Sequence, residues 1–135
     1  MRDNKQLNQL IQQMENFQEC LKQFNHYVNL TRAKFTPDDE SHFLETKSII
    51  VQELELILAS IQSGTPTREE VHALVSAAPS LRFLSQLQET GLRGLESQWH
   101  KIYIGWHSAL GQLKVQRMKI ESKSGWATIF EGKKK

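Results

Sequence analysis

The spacing of apolar residues over the first 35 positions constrains this chain more than any other feature. Leu7, Leu10, Met14, Phe17, Leu21, Phe24 and Val28 follow one another in alternating steps of three and four, and Thr31 and Phe35 continue the register. Such steps place every member on one side of a helix, while Gln, Asn, Glu and Lys fill most positions between them. A seam of four heptads cannot be buried by its own helix, so a partner helix must run along it. The fold is therefore built from helix surfaces.

The spacing predicts a first helix over about residues 4–34, followed by a tight reversal. Thr36-Pro37-Asp38-Asp39-Glu40 is a start signal: a hydroxyl N-cap, proline at the first helical position and three acids against the positive end of the dipole. The second helix carries Phe43, Leu44, Ile50, Val51, Leu54, Ile57, Leu58 and Ile61, with Lys47 the one charge in the stripe, and Gly64 is expected to close it. So short a connection makes an antiparallel hairpin. Thr67 and Glu70 stand at capping-box spacing before Val71, Leu74 and Val75, and Ala78-Pro79 ends this third, short helix. From Ser80 the steps resume through Leu81, Leu84, Leu87, Leu95, Trp99, Ile102, Trp106, Ala109, Leu113 and Ile120. Gly91 and Gly94 each cost about 1 kcal/mol relative to alanine in a helix, so both a break there and a continuous helix to about Ser122 are open. After Lys123 the period fades, and Trp126, Ile129 and Phe130 either fold back on the helices or form a segment for another chain.

A length of 135 residues fits one domain, with 1–122 as the helical part and 123–135 as a basic, aromatic tail. No apolar run approaches the roughly 20 residues that cross a bilayer. The polar start of the chain has no signal-peptide core, so the expected location is cytoplasmic. Cys20 is single and flanks the first seam, where a thiol acts as a small hydrophobe. Residues 1–65 hold six Lys and Arg against nine acids, whereas residues 66–135 hold eleven against six. That basic half either solubilises the end of a helix or attracts nucleic acid, acidic lipid or an acidic protein; seven scattered cations with two acids among them give nucleic acid little support.

Five histidines do not form a metal pattern. Glu69 and His72 make one Glu-x-x-His pair, but a di-iron site needs two such pairs and two further glutamates. The segment from Trp99 to His107 is more distinctive, because Trp-His recurs after seven residues. Both tryptophans fall on the core stripe, and His100, Tyr103 and His107 form a polar-aromatic ridge beside it, which bounds the core or receives a partner. No nucleophile with its base, no phosphate-cradling loop and no catalytic carboxylate pair is found, so neither catalysis nor a cofactor is expected.

Thr31-Arg32-Ala33-Lys34-Phe35, the acidic turn, and the run from Phe43 to Leu54 resemble the hairpin of the FlgN-type chaperones of flagellar and type III secretion export. In that family a lysine on the second helix follows an apolar residue by four positions and precedes others by three, four and seven; Phe43, Lys47, Ile50, Val51 and Leu54 reproduce this. The resemblance implies a cytosolic chaperone that holds the C-terminal helical segment of an export substrate.

The expected fold is all-α: an elongated antiparallel three- or four-helix bundle with a coiled-coil-like hairpin and a short non-helical C-terminal tail. The expected work is non-enzymatic binding of an amphipathic helix from a client or subunit, with a homodimer as a further assembly. Ile50, Leu54, Ile57, Trp99, Tyr103, Trp106, Trp126, Ile129 and Phe130 are the expected contact residues. A structural coiled-coil subunit of a constitutive complex is the competing expectation.

Overall fold

In the computed structural model, residues 4–60 and 67–133 are described, with side chains as far as Ser122. They form α1 (Asn4–Leu30), α2 (Pro37–Leu58), α3 (Arg68–Ala77), α4 (Leu81–Ser85) and α5 (Glu89–Lys133), and no strand. None of these helices is long and apolar enough to cross a membrane.

The ladder of α1 is buried throughout: Leu7, Leu10, Met14, Phe17, Leu21, Phe24 and Val28 are at most 3% exposed, and Ile11 joins them. The helix ends at Leu30, four residues before the expected Lys34. Its last carbonyls are taken by the tighter bonds Thr31 N to Val28 O, Arg32 N to Asn29 O and Ala33 N to Leu30 O. The Thr31 hydroxyl also donates to Val28 O at 2.6 Å, an alternative to continued helix that short polar side chains offer. Burial outlasts the helix, because Thr31 remains buried and Phe35 packs on the core.

The capping box predicted at Thr67 is formed, and the N-cap predicted at Thr36 proves to be a full capping box as well. Thr36 accepts from Asp39 N at 3.1 Å while its own N–H donates to Asp39 Oδ2 at 2.8 Å. Thr67 and Glu70 make the same reciprocal pair, both bonds 3.1 Å. Helix α2 buries Phe43, Thr46, Ile50, Leu54 and Ile57, a single seam narrower than the apolar content suggested, since Leu44 is 43% exposed. It ends at Leu58, and the expected closing Gly64 lies outside the described residues. Lys47 leaves the stripe sideways: its ammonium donates to Pro79 O at 3.1 Å and stands 5.8 Å from the Phe43 ring centre. Burial pushes its pKa down, the mark of a charge partly withdrawn from water.

The helix expected from Ser80 is interrupted, but upstream of the glycines. Short α4 is capped by the Ser80 hydroxyl, which accepts from Phe83 N at 3.0 Å, and by Glu40 of α2, whose carboxylate accepts from Leu81 N at 2.8 Å. The chain turns at 86–88, and α5 begins at Glu89, so Gly91 falls in its first turn, where helical hydrogen bonding is least demanding. From there α5 runs for 45 residues, about 67 Å at 1.5 Å per residue. Its backbone stays helical to Lys133, which corrects the expected non-helical tail and carries one helix across the anticipated boundary at residues 122–123. No proline follows Pro79, and adding a residue to an existing helix is far easier than nucleating one.

Helix α1 packs against α2 on one side and α5 on the other, α3 touches α2 and α5, and α4 closes on α1 and α2. Phe17 meets Trp106 of α5 at 4.2 Å between ring centres, and Phe24 meets Phe43 of α2 at 5.3 Å. Arg32 forks onto Glu89 and also pairs with Glu96, tying the end of α1 to the start of α5. Among the described residues no buried side-chain nitrogen or oxygen lacks a partner.

Candidate functional site

The nine expected contact residues separate into three groups. Ile50, Leu54, Ile57 and Trp106 are 0% exposed, closed inside the core by α1. They offer a partner no surface while the helices are packed, so their role in this structure is cohesion. Trp99 and Tyr103 are partly buried and pack at the edge of the core. Trp126, Ile129 and Phe130 are on the last turns of α5, and their side chains lie outside the described residues.

The repeated Trp-His pair proves to be a ruler for helix pairing. Trp99 Nε1 donates to Leu21 O at 2.7 Å and Trp106 Nε1 to Met14 O at 2.9 Å. The donors are seven residues apart on α5 and the acceptors seven apart on α1, in opposite order, so the two helices run antiparallel with matched heptads. Each accepting carbonyl has a second lone pair available beyond its helical bond, which lets an indole N–H be buried without loss. Gln18 Nε2 and His107 Nδ1 lie 3.0 Å apart, and Lys114 Nζ is 3.4 Å from Glu15, extending the same register.

Along the flank of this pair the rings of Trp99, Tyr103 and His107 are stacked, with centres 4.9 Å and 6.3 Å apart and planes inclined by 21° and 12°. At the Trp99 end of the ridge lies an open groove of about 590 Å³ between α1 and α5, whose walls include Asn25, Asn29, Glu96, Trp99 and His100. Arg32 stands at its end and, through hydrogen bonds, holds the Glu89 carboxyl below its ordinary range; the Arg32 guanidinium is correspondingly raised. A second groove, of about 420 Å³ between α1 and α2, is bordered by Lys22, His26, Tyr27, His42 and Glu45. Both present amides, imidazoles and aromatic edges to solvent. Among the described residues no three His, Cys, Asp or Glu side chains are grouped to hold a metal. His72 instead lies 3.7 Å from Glu55, onto which Arg68 forks at 2.8 and 2.9 Å. Burial raises the Cys20 thiol pKa, keeping it protonated beside the seam.

A further surface escaped the sequence reading. Ile104, Val115 and Met118 are 54%, 49% and 63% exposed on the side of α5 turned away from the core. Two signals for it were present. These residues share a line at helical spacing, and no Asp or Glu occurs from Ser97 to Ile120, a stretch that contains Lys101, Lys114, Arg117 and Lys119. Lys114 and Arg117 reach α1 through Glu15 and Asn8. Lys101 and Lys119 are exposed and make no ion pair among the described residues.

Set against known proteins, the chain matches no family model, no curated protein and no solved structure.

Proposed function

We propose that this chain is an elongated antiparallel helical bundle that works without catalysis, by binding another polypeptide in the cytoplasm, as a chaperone or adaptor for an export substrate of the kind FlgN-type proteins serve. The observation that carries the reading is the double character of α5. One side is sealed against α1 by Leu92, Leu95, Ile102, Trp106 and Leu113, while the other shows Ile104, Val115 and Met118 to solvent. A core that is complete within one chain leaves the exposed apolar side available for capture of an amphipathic helix. The hairpin resemblance around Lys47 supplies the choice of export substrate.

The test uses C-terminal helical segments of the proteins encoded beside this one. Each is added to the purified full chain, and thermal unfolding is followed by circular dichroism. A client that binds only the folded state raises Tm with its concentration. If no segment shifts Tm, the reading fails.

The competing reading, a structural subunit, draws on the length of α5. Arg117 reaches Asn8 near the start of α1, yet α5 continues to Lys133. A constitutive oligomer built on that extension loses helicity on dilution, whereas the chaperone stays folded.

A further inference from the structure

Ile104, Ser108, Gly111, Val115 and Met118 succeed one another in steps of four, three, four and three, so a single line along α5 holds all five. The line is about 21 Å long, and each of its members is exposed. Isolated apolar side chains on a surface need no explanation; five positions in heptad register make a second seam, parallel to the one sealed against α1. Its middle is low and its ends are bulky. A Cβ added at Gly111 would meet nothing within 4 Å among the described residues, so no neighbouring helix closes over it there. A groove of this form accepts the ridge of a neighbouring helix.

Charge selects the occupant. Lys101 and Lys119 flank the line, have no ion pair among the described residues and sit in the acid-free stretch from Ser97 to Ile120. The geometry points to an acidic amphipathic helix of a partner protein, of about four turns, seated along Ile104–Met118 with its Glu or Asp residues against Lys101 and Lys119. A second copy of this chain brings the same two lysines to the contact and so repels where the acidic helix attracts. An anionic lipid surface answers the lysines but has no ridge to fill the gap at Ser108 and Gly111. This assignment rests on the protein-binding reading and names the chemistry of the partner.

The experiment measures binding of two labelled helical peptides to the full chain by fluorescence anisotropy. Both carry one apolar seam at heptad spacing; one has glutamates on its flanks and the other lysines. The assignment expects the acidic peptide to bind at least tenfold more tightly, Val115→Ser with Met118→Ser to weaken it at least tenfold, and Lys101→Glu with Lys119→Glu to reverse the preference. The substituted side chains are exposed, and circular dichroism verifies that the variants keep their helices. Equal binding of the two peptides overturns the assignment, as does acidic-peptide binding that the serine variant leaves unchanged. Sedimentation showing a dimer that the serine variant dissolves overturns it in favour of a second copy. Charge-dependent binding to phosphatidylserine vesicles without peptide discrimination overturns it in favour of a membrane. A client segment that still raises Tm in both variants preserves the protein-binding reading and removes it from this face.

Discussion

Helices α1 and α5 are both long, amphipathic and paired with each other, yet they use their apolar residues differently. Every member of the α1 ladder from Leu7 to Val28 is buried, so its apolar content is spent within the chain. Helix α5 divides its own between a sealed side, where Trp106 is 0% exposed, and an open side, where Met118 is 63% exposed. A second apolar line held in water forgoes about 1.5–3 kcal/mol for each side chain that full burial would supply, a gain that a partner helix would recover. The contrast gives α1 to cohesion within the chain, and under the proposed function α5 serves cohesion and contact together.

The sharpest way to break this contrast is to truncate the sealed side. Trp106→Ala removes a ring packed on Phe17 and is expected to cost about 3–5 kcal/mol in urea unfolding. A loss under about 1 kcal/mol would mean that the α1/α5 seam is not the core. Next in size, Thr36→Ala removes the hydroxyl that caps α2 and should cost about 1 kcal/mol, as should Thr67→Ala at α3. Gly111→Ala on the open side has the opposite sign: with nothing near its Cβ, it should stabilise by about 0.5–1 kcal/mol. Val115→Ser and Met118→Ser should each stay within about 0.5 kcal/mol of the parent, as surface changes do.

The smallest expected effect concerns pH. Arg32 depresses the folded-state pKa of Glu89 below 4.5, so the pair's contribution is complete above that value and fades as pH falls through the depressed one. Amide exchange at the start of α5 should therefore quicken as pH is lowered below 4.5, after correction for intrinsic exchange, and Arg32→Gln should weaken that dependence, leaving the smaller part that Arg93 supplies. Because Glu89 is exposed, added salt should reduce it.

Much of the fold was legible because it follows from local rules. The heptad steps, the two start signals at Thr36 and Thr67 and the stop at Ala78-Pro79 each act within a few residues, and each appears where the spacing placed it. Boundaries that depend on tertiary competition were not. The break before α5 goes with the capping of α4 from Glu40, a residue 41 positions away; the end of α1 coincides with a local bond, the Thr31 hydroxyl on Val28 O, that the apolar spacing does not encode. The candidate site was legible only in part. Periodicity reveals that Ile50, Leu54, Ile57 and Trp106 are apolar and in register, but it cannot tell a seam closed by the chain itself from one left for a partner. The open line of α5 was overlooked because Ser108 and Gly111 interrupt its apolar character.

The division of α5 into a sealed and an open side is tested most directly by thiol labelling, with Cys20→Ala as the background and one cysteine introduced at a time. Ile104→Cys, Val115→Cys and Met118→Cys should react with a maleimide as fast as an unfolded peptide, whereas Ile102→Cys and Leu113→Cys should be slower by about a thousandfold or more, reacting only through opening. Equal protection at both sets, or fast reaction at Ile102→Cys, would contradict the account.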